Sequence, residues 1–341
     1  MNRKEFIRTT GLLVCAPSLF SFKSTTNQKA DYLMTVNGAV PINKTGLILP
    51  HEHILVDFIG ADKITPSRYD ADIVFAKTLP YLEQIVRSGC NTLVECTPAY
   101  LSRDVKLLQR LSKASGLHII TNTGYYGAGN GKYLPPHTYS ESAGQLAARW
   151  TREWEEGIEG TDIKPGFIKI GVDAYPLSEV QHKLVEAAAL THLNTGLTIA
   201  IHTGNGEAAL EEMKILKNKG VRPEAWIWTH AQNENDRAVH LQVAKEGGWV
   251  SFDGLNKQSL REYIQFLKDM KEAQMLHKVL ISHDAGWYHV GEPDGGNFRP
   301  FDTVFKDLIP ALEKEKFTEK DIDKLFRKNP ARALAVSIRK A

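Results

Sequence analysis

Eight short runs dominated by Ile, Val, Leu and Thr recur along the chain, at residues 46–55, 92–98, 118–124, 166–173, 197–204, 225–231, 249–255 and 278–285. Each is nearly continuous in hydrophobicity, as expected of a strand buried on both faces, and each ends in polar residues. Between them, residues 70–89, 140–157, 177–195, 207–220 and 260–277 carry apolar side chains at helical spacing, and several of these stretches stop at glycine. Strands alternating with helices form parallel βαβ units, and eight such units close on themselves. The expected fold class is therefore α/β: a (β/α)8 TIM barrel with a short N-terminal hairpin at 32–42 and a helical tail at 318–334.

A chain of 341 residues suits one such barrel, because α/β barrels exceed the usual domain length as single units. The expected organisation is an export signal and linker at 1–28, followed by a single barrel domain at 29–341. Arg3, Lys4 and Arg8 precede a short apolar stretch at 12–22. The segment resembles a twin-arginine export signal with Lys4 at the second arginine, and it is too short to span a membrane. This points to an exported, periplasmic protein; without a working signal the protein would be cytoplasmic. Cys15 is a candidate lipidation site, although Val14 precedes it where a small residue is wanted. The other cysteines, Cys90 and Cys96, flank a strand and read as buried thiols. With 42 basic and 40 acidic residues and no basic block, nucleic acid is not an expected partner. No transmembrane span is expected. A small-molecule substrate is, and a homodimer is the assembly such barrels commonly adopt.

In a barrel of this kind chemistry sits at the C-terminal ends of the strands. The first run ends in His51-Glu52-His53, and residues two apart on a strand share a side, so both imidazoles can grip one metal while Glu52 points away. His202, His230 and Asp284 end the fifth, sixth and eighth runs. A single histidine at such a place is more often a satisfied core residue than a ligand. Four histidines and an aspartate on one rim are not explained that way, and imidazole with carboxylate suits divalent transition metals, zinc foremost. Lys169 lies inside the fourth run, where a charged amine is costly. Either its stem packs while the amine escapes to the rim, or the amine is neutral and has captured carbon dioxide as a carbamate.

This set resembles the phosphotriesterase family of the amidohydrolase superfamily, over residues 37–334. The resemblance is carried by His-x-His, the strand-four lysine, two single histidines and the strand-eight aspartate. It implies that His51, His53 and Asp284 bind one divalent metal and His202 and His230 a second, with carboxylated Lys169 and a hydroxide bridging them. The pair would be zinc, with manganese and cobalt as alternatives. The implied mechanism is attack by the bridging hydroxide, with Asp284 moving the proton.

The chain departs from the namesake enzymes at two points. Gly254 stands where organophosphate-cleaving members have a relay histidine and lactonases an arginine, and Asn233 stands where the relay aspartate belongs. This argues against efficient hydrolysis of organophosphates and acyl-homoserine lactones. The segment 123–128, with Trp150 and residues 157–161, looks more like the phosphotriesterase-related branch. Tyr126, Tyr125, Trp287 and Arg299 are the candidate substrate-binding residues; Tyr288 and His289 lie in the same loop after the eighth run as Trp287, and Lys132 is a further candidate to meet an anionic group. Glu95 is a candidate to orient a ligand histidine. Residues 127–132 lack Walker spacing, and no Gly-x-Ser-x-Gly elbow is present. The favoured function is hydrolysis of a small ester or lactone. The alternatives are an amidase on N-acyl amino acids or amines, and a non-catalytic exported binding protein. An amidase calls for a proton donor near Asp284, with His283 and His289 nearby in sequence; a binding protein predicts a lost ligand position.

Overall fold

The β-branched runs form strands that share one direction: β1 (Leu47–Val56), β2 (Cys90–Glu95), β3 in two pieces (His118–Ile120 and Asn122–Thr123), β4 (Phe167–Gly171), β5 (Thr198–His202), β6 (Trp226–Thr229), β7 (Trp249–Phe252) and β8 (Val279–Ile281). The computed structural model describes Asp31–Ala341; the export-signal, linker and Cys15 readings fall at or before residue 30, outside the described residues. Each strand pairs in parallel with the next, from Leu49 beside Leu93 to Val250 beside Val279. The ring closes between β8 and β1. There the Asp284 N–H donates to the His51 carbonyl and the His53 N–H to the Ala285 carbonyl. A further strand, β9 (Gly286–His289), then runs beside β1, with Gly286 opposite His53. Only glycine fits at that closure: Gly286 has φ +92°, and a Cβ there would lie 1.8 Å from the His53 carbonyl oxygen. The expected α/β barrel is the fold found.

Helices cover the outside: α1 (Ala71–Arg87), α2 (Val105–Ser115), α3 (Ala143–Glu156), α4 (Glu179–Thr195), α5 (Gly206–Asn218), α6 (Arg237–Lys245) and α7 (Leu260–Glu272). Their N-termini are fixed by side chains the sequence supplies in place. Asp70, Asp104, Asn205 and Asp236 accept from first-turn N–H groups, and Ser142 and Ser178 form capping boxes. The helices α2 and α6 occupy stretches that were not expected to be helical. The expected hairpin pairs Tyr32–Thr35 with Gly38–Pro41 in antiparallel register. The expected helical tail is Glu319–Asp323 and Asn329–Leu334, joined by a π-turn at Lys324–Lys328. Among the described residues no helix is long and apolar enough to cross a membrane.

One residue from every strand enters the buried layer inside the barrel: Ile48, Val94, Ile120, Phe167, Ala200, Ile227, Trp249 and Leu280. Leu33 of the hairpin and Ala331, Ala333 and Leu334 of the tail pack on the same layer. The N-terminal end of the barrel is thus filled with apolar side chains, which leaves the opposite end for polar ones. Buried Asn329 fastens the tail to this end, its Nδ2 donating to the Leu276 and Val279 carbonyls at 2.8 Å each. Replacing Asn329 with alanine strands both acceptors. The expected loss is about 1–3 kcal/mol of stability, read as a lower urea midpoint with an unchanged slope.

Candidate metal centre

The two histidines of β1 project to one side, and their Nε2 atoms come within 3.3 Å of each other. Asp284 follows β8 and faces them, its Oδ1 lying 3.1 Å from His53 Nε2 and 3.6 Å from His51 Nε2. His230 follows β6, with its ring 5.1 Å from that of His51 and 4.5 Å from that of His202 at the end of β5. Lys169 on β4 is buried with its Nζ turned to the same space, 5.6 Å from the Tyr126 ring. All six side chains line one cavity of about 140 Å³.

Hydrogen bonds behind the cavity decide which atoms face it. Buried Asp253, at the end of β7, accepts from His51 Nδ1 at 3.1 Å and from His230 Nδ1 at 2.7 Å. A carboxylate can only accept, so both rings carry a proton on Nδ1, and each ring when neutral turns a bare Nε2 lone pair to the cavity. His53 Nδ1 lies 2.8 Å from Thr97 Oγ1, which can hold that ring in the same tautomer. Asp284 Oδ1 is buried without a hydrogen-bond partner. Lone pairs converging at these distances repel unless a cation lies among them. The donor set therefore fits a divalent ion, and His51, His53 and Asp284 form one group able to hold it. Asp253 also lies close to His51 and His230, but its oxygens meet their Nδ1–H groups and act as orienting acceptors rather than ligands.

The electrostatics follow from burial and these partners. Desolvation pushes His53 down to about 4 and His202 well below the usual imidazole range, so both are neutral near pH 7. Burial also lowers Lys169, which favours a neutral amine, and Lys169 makes no ion pair among the described residues. Burial alone would raise Asp284, but the His53 contact and the neighbouring imidazoles outweigh it and hold the carboxyl ionised. His230 moves the other way: burial lowers it, and the charge of Asp253 more than reverses that. The backbone is constrained at the same place. His230, Asp284 and Trp287 take left-handed φ values of 66°, 50° and 73°, a region unfavourable for side chains of this size.

The substrate-side residues divide. Tyr126 and Trp287 line the cavity; Trp287 stacks on His53 at 3.9 Å, and its Nε1–H donates to the Asp284 carbonyl. Tyr125 does not line it. Its hydroxyl lies 3.1 Å from His137 Nε2, and its ring packs edge-on against Trp150, because adjacent residues on an extended chain face opposite ways. Arg299 is exposed outside the cavity and reaches the Asp284 carbonyl from its guanidinium. Lys132 is also exposed and Tyr288 half-buried, and neither lines the cavity. His289 sits further out, grouped with Phe58 and Trp287.

His283 is turned away from the cavity. Its Nδ1 contacts Glu52 at 2.6 Å, and its Nε2 accepts from the Val304 N–H. Glu95 accepts from the Ile54 and Thr97 N–H groups rather than from a histidine, and burial pushes it up to about 7. Asp253, Thr97 and Phe58 were not singled out from sequence. Only Asp253 carried a signal, since the alternation Ser251-Phe252-Asp253 puts Ser251 and Asp253 on the same inner face.

Because Asp253 fixes two tautomers, Asp253→Asn is expected to weaken metal binding by about 10–100-fold, measured by titration of the metal-free protein. A proton on His230 competes with a cation at Nε2, so affinity should rise with pH until it passes the raised His230 value. In Asp253→Asn that dependence should move to lower pH.

The chain matches the model of the Phosphotriesterase family over residues 31–334. It is 27% identical to the phosphotriesterase homology protein of Escherichia coli, over 84% of this chain and 97% of the relative. It is 24% identical to an N-acetyltaurine hydrolase of Danio rerio, over 89% and 97%. Among solved structures, the organophosphorus hydrolase from Deinococcus radiodurans superposes with a TM-score of 0.80 at 25% identity, covering 89% of this chain and 97% of that one. The chain belongs to the phosphotriesterase family and is a metal-dependent hydrolase.

Proposed function

We propose that the protein is a binuclear metal-dependent hydrolase that cleaves a small ester or lactone. The observation that carries this reading is the convergence of His51, His53, Lys169, His202, His230 and Asp284 on one cavity, with imidazole lone pairs aimed into it. His51, His53 and Asp284 would hold one ion, and His202 and His230 the other. Lys169 would serve both after its neutral Nζ attacks carbon dioxide, forming an N–C bond and releasing a proton. Two divalent ions, zinc being the best match to the donors, would supply Lewis acidity that lowers the pKa of bound water from about 15.7 to about 7 and polarises the substrate carbonyl. Asp284, ionised at neutral pH, takes the proton of the attacking water and hands it to the departing oxygen. Tyr126 keeps its phenolic proton, since burial raises its pKa, and can donate a hydrogen bond within the cavity. Trp287 and Phe58 give apolar walls that exclude water.

The small volume favours a compact reacting end, with the rest of the substrate outside the mouth. An alkoxide needs a proton less than an amine does, and His283, the nearest histidine in sequence to Asp284, faces away. Both points favour the ester or lactone. The likeness to an N-acetyltaurine hydrolase favours a second reading, an amide with an anionic tail, for which Arg299 beside the mouth is the candidate partner.

Lys169→Ala is expected to lose at least a hundredfold in turnover, on the order of a catalytic electrostatic group, with partial rescue by a short carboxylate. Full activity in that variant rules out the carbamate. Chelation should abolish activity, and added zinc, manganese or cobalt should restore it. A panel of lactones, aryl esters, N-acyl amino acids and a phosphotriester assigns the bond: faster turnover of N-acyl compounds than of esters would replace the first reading by the second.

A further inference from the structure

A second cavity, of about 300 Å³, opens at the same end of the barrel but outside its wall, between the loops after β1, β2 and β3. The segment after β2 separates the two spaces: Leu101 lines the metal cavity, while Tyr100 and Ser102 on either side of it line the outer one. Three aromatic rings, Tyr69, Tyr100 and Tyr125, give it walls. At its base lies Arg103, whose side chain is 1% exposed. Glu153 takes Arg103 in a two-point contact at 2.7 and 3.0 Å, and Glu159 takes it at 3.0 Å.

We infer that this outer cavity is a binding site for a small organic cation with an apolar body. Two carboxylates face one guanidinium, which leaves one negative charge in excess. The terminal nitrogens of Arg103 are occupied by those carboxylates and by the Asn122 carbonyl; its one unpartnered donor, Nε, is buried away from the open space of the cavity. Arg149, a charged neighbour of Tyr100 and Tyr125, is paired with Glu141 through three contacts at 2.5, 2.8 and 3.0 Å. Glu159 is 57% exposed in its side chain and uses only Oε1 on Arg103, so Oε2 at the lip is available to an ammonium group. Neutral tyrosine rings attract a cation through their faces, and burial keeps these phenols protonated.

The backbone marks the place independently. Of the ten non-glycine residues with left-handed φ among the described residues, Tyr100 (65°), Ser102 (79°) and Glu159 (52°) line this cavity. Another three, His230, Asp284 and Trp287, line the metal cavity. Strain of this kind concentrates where a ligand is clamped, and here it concentrates twice.

Isothermal titration of the metal-loaded full chain tests the site, with phenethylammonium as the cation and phenylacetate as its near-isosteric anion. Phenethylammonium should bind saturably and phenylacetate should not. Glu159→Gln, at an exposed position, and Tyr100→Gly, which suits the left-handed backbone, should each weaken the cation on the order of fivefold. Ester turnover at the metal cavity should be unchanged in both. No saturable heat with phenethylammonium, equal binding of phenylacetate, or full affinity in both variants would overturn the inference.

Discussion

The carboxylate of Glu52 braces the seam at which the barrel closes. Fully buried on β1, it accepts from the Ser282 hydroxyl, from the backbone N–H and Nδ1 of His283, and from the Ala285 N–H. Those donors surround Asp284 and hold it in a conformation its own backbone disfavours. Strand alternation makes one three-residue sequence do both jobs: His51 and His53 turn inward, and Glu52, between them, turns into the seam. The ligands on β1 and the ligand after β8 are thereby registered against each other by this side chain together with the backbone bonds of the seam. An apolar residue at this position would leave four donors facing an empty seam in the interior, where an unmade hydrogen bond costs most.

Asp253 does the same on the other flank, bracing His51 and His230 through Nδ1 and so joining a histidine of β1 to the one after β6. The centre therefore rests on two buried acidic groups that do not themselves face the cavity. Its atoms are placed by rigid strands and by acceptors with no freedom to choose another donor, which limits how far any ligand can relax when the site is empty.

The barrel and all six inward groups were legible in the sequence because each strand signals locally, through a buried run that ends in a polar residue or, for Lys169, carries a charge inside it. What was not legible depends on contacts between strands. Asp253 reads as one more acidic residue until β7 is set beside β6. The helices α2 and α6 are the two shortest of the outer seven; the nine residues of α6 bury only three side chains, whereas α2, with Val105, Leu107, Leu108 and Leu111 on one face, carried a helical signal that went unused. Tyr125 and Tyr126 could not both face the cavity, and β3, broken at Thr121, gives no local clue to which one does. Arg299 lies fifteen residues from the carbonyl it touches, beyond the reach of any strand-end pattern.

The division of labour between strands and loops has an evolutionary consequence. The groups that would perform hydrolysis are locked to the frame, while those at the mouth, Phe58, Trp287 and Arg299, lie on loops or on the short edge strand beyond β8. A change at the mouth alters which molecule enters without disturbing the chemistry it meets. Such a scaffold can explore new substrates by small steps while keeping a working reaction throughout, and a gene copy carrying it would begin its divergence already catalytic.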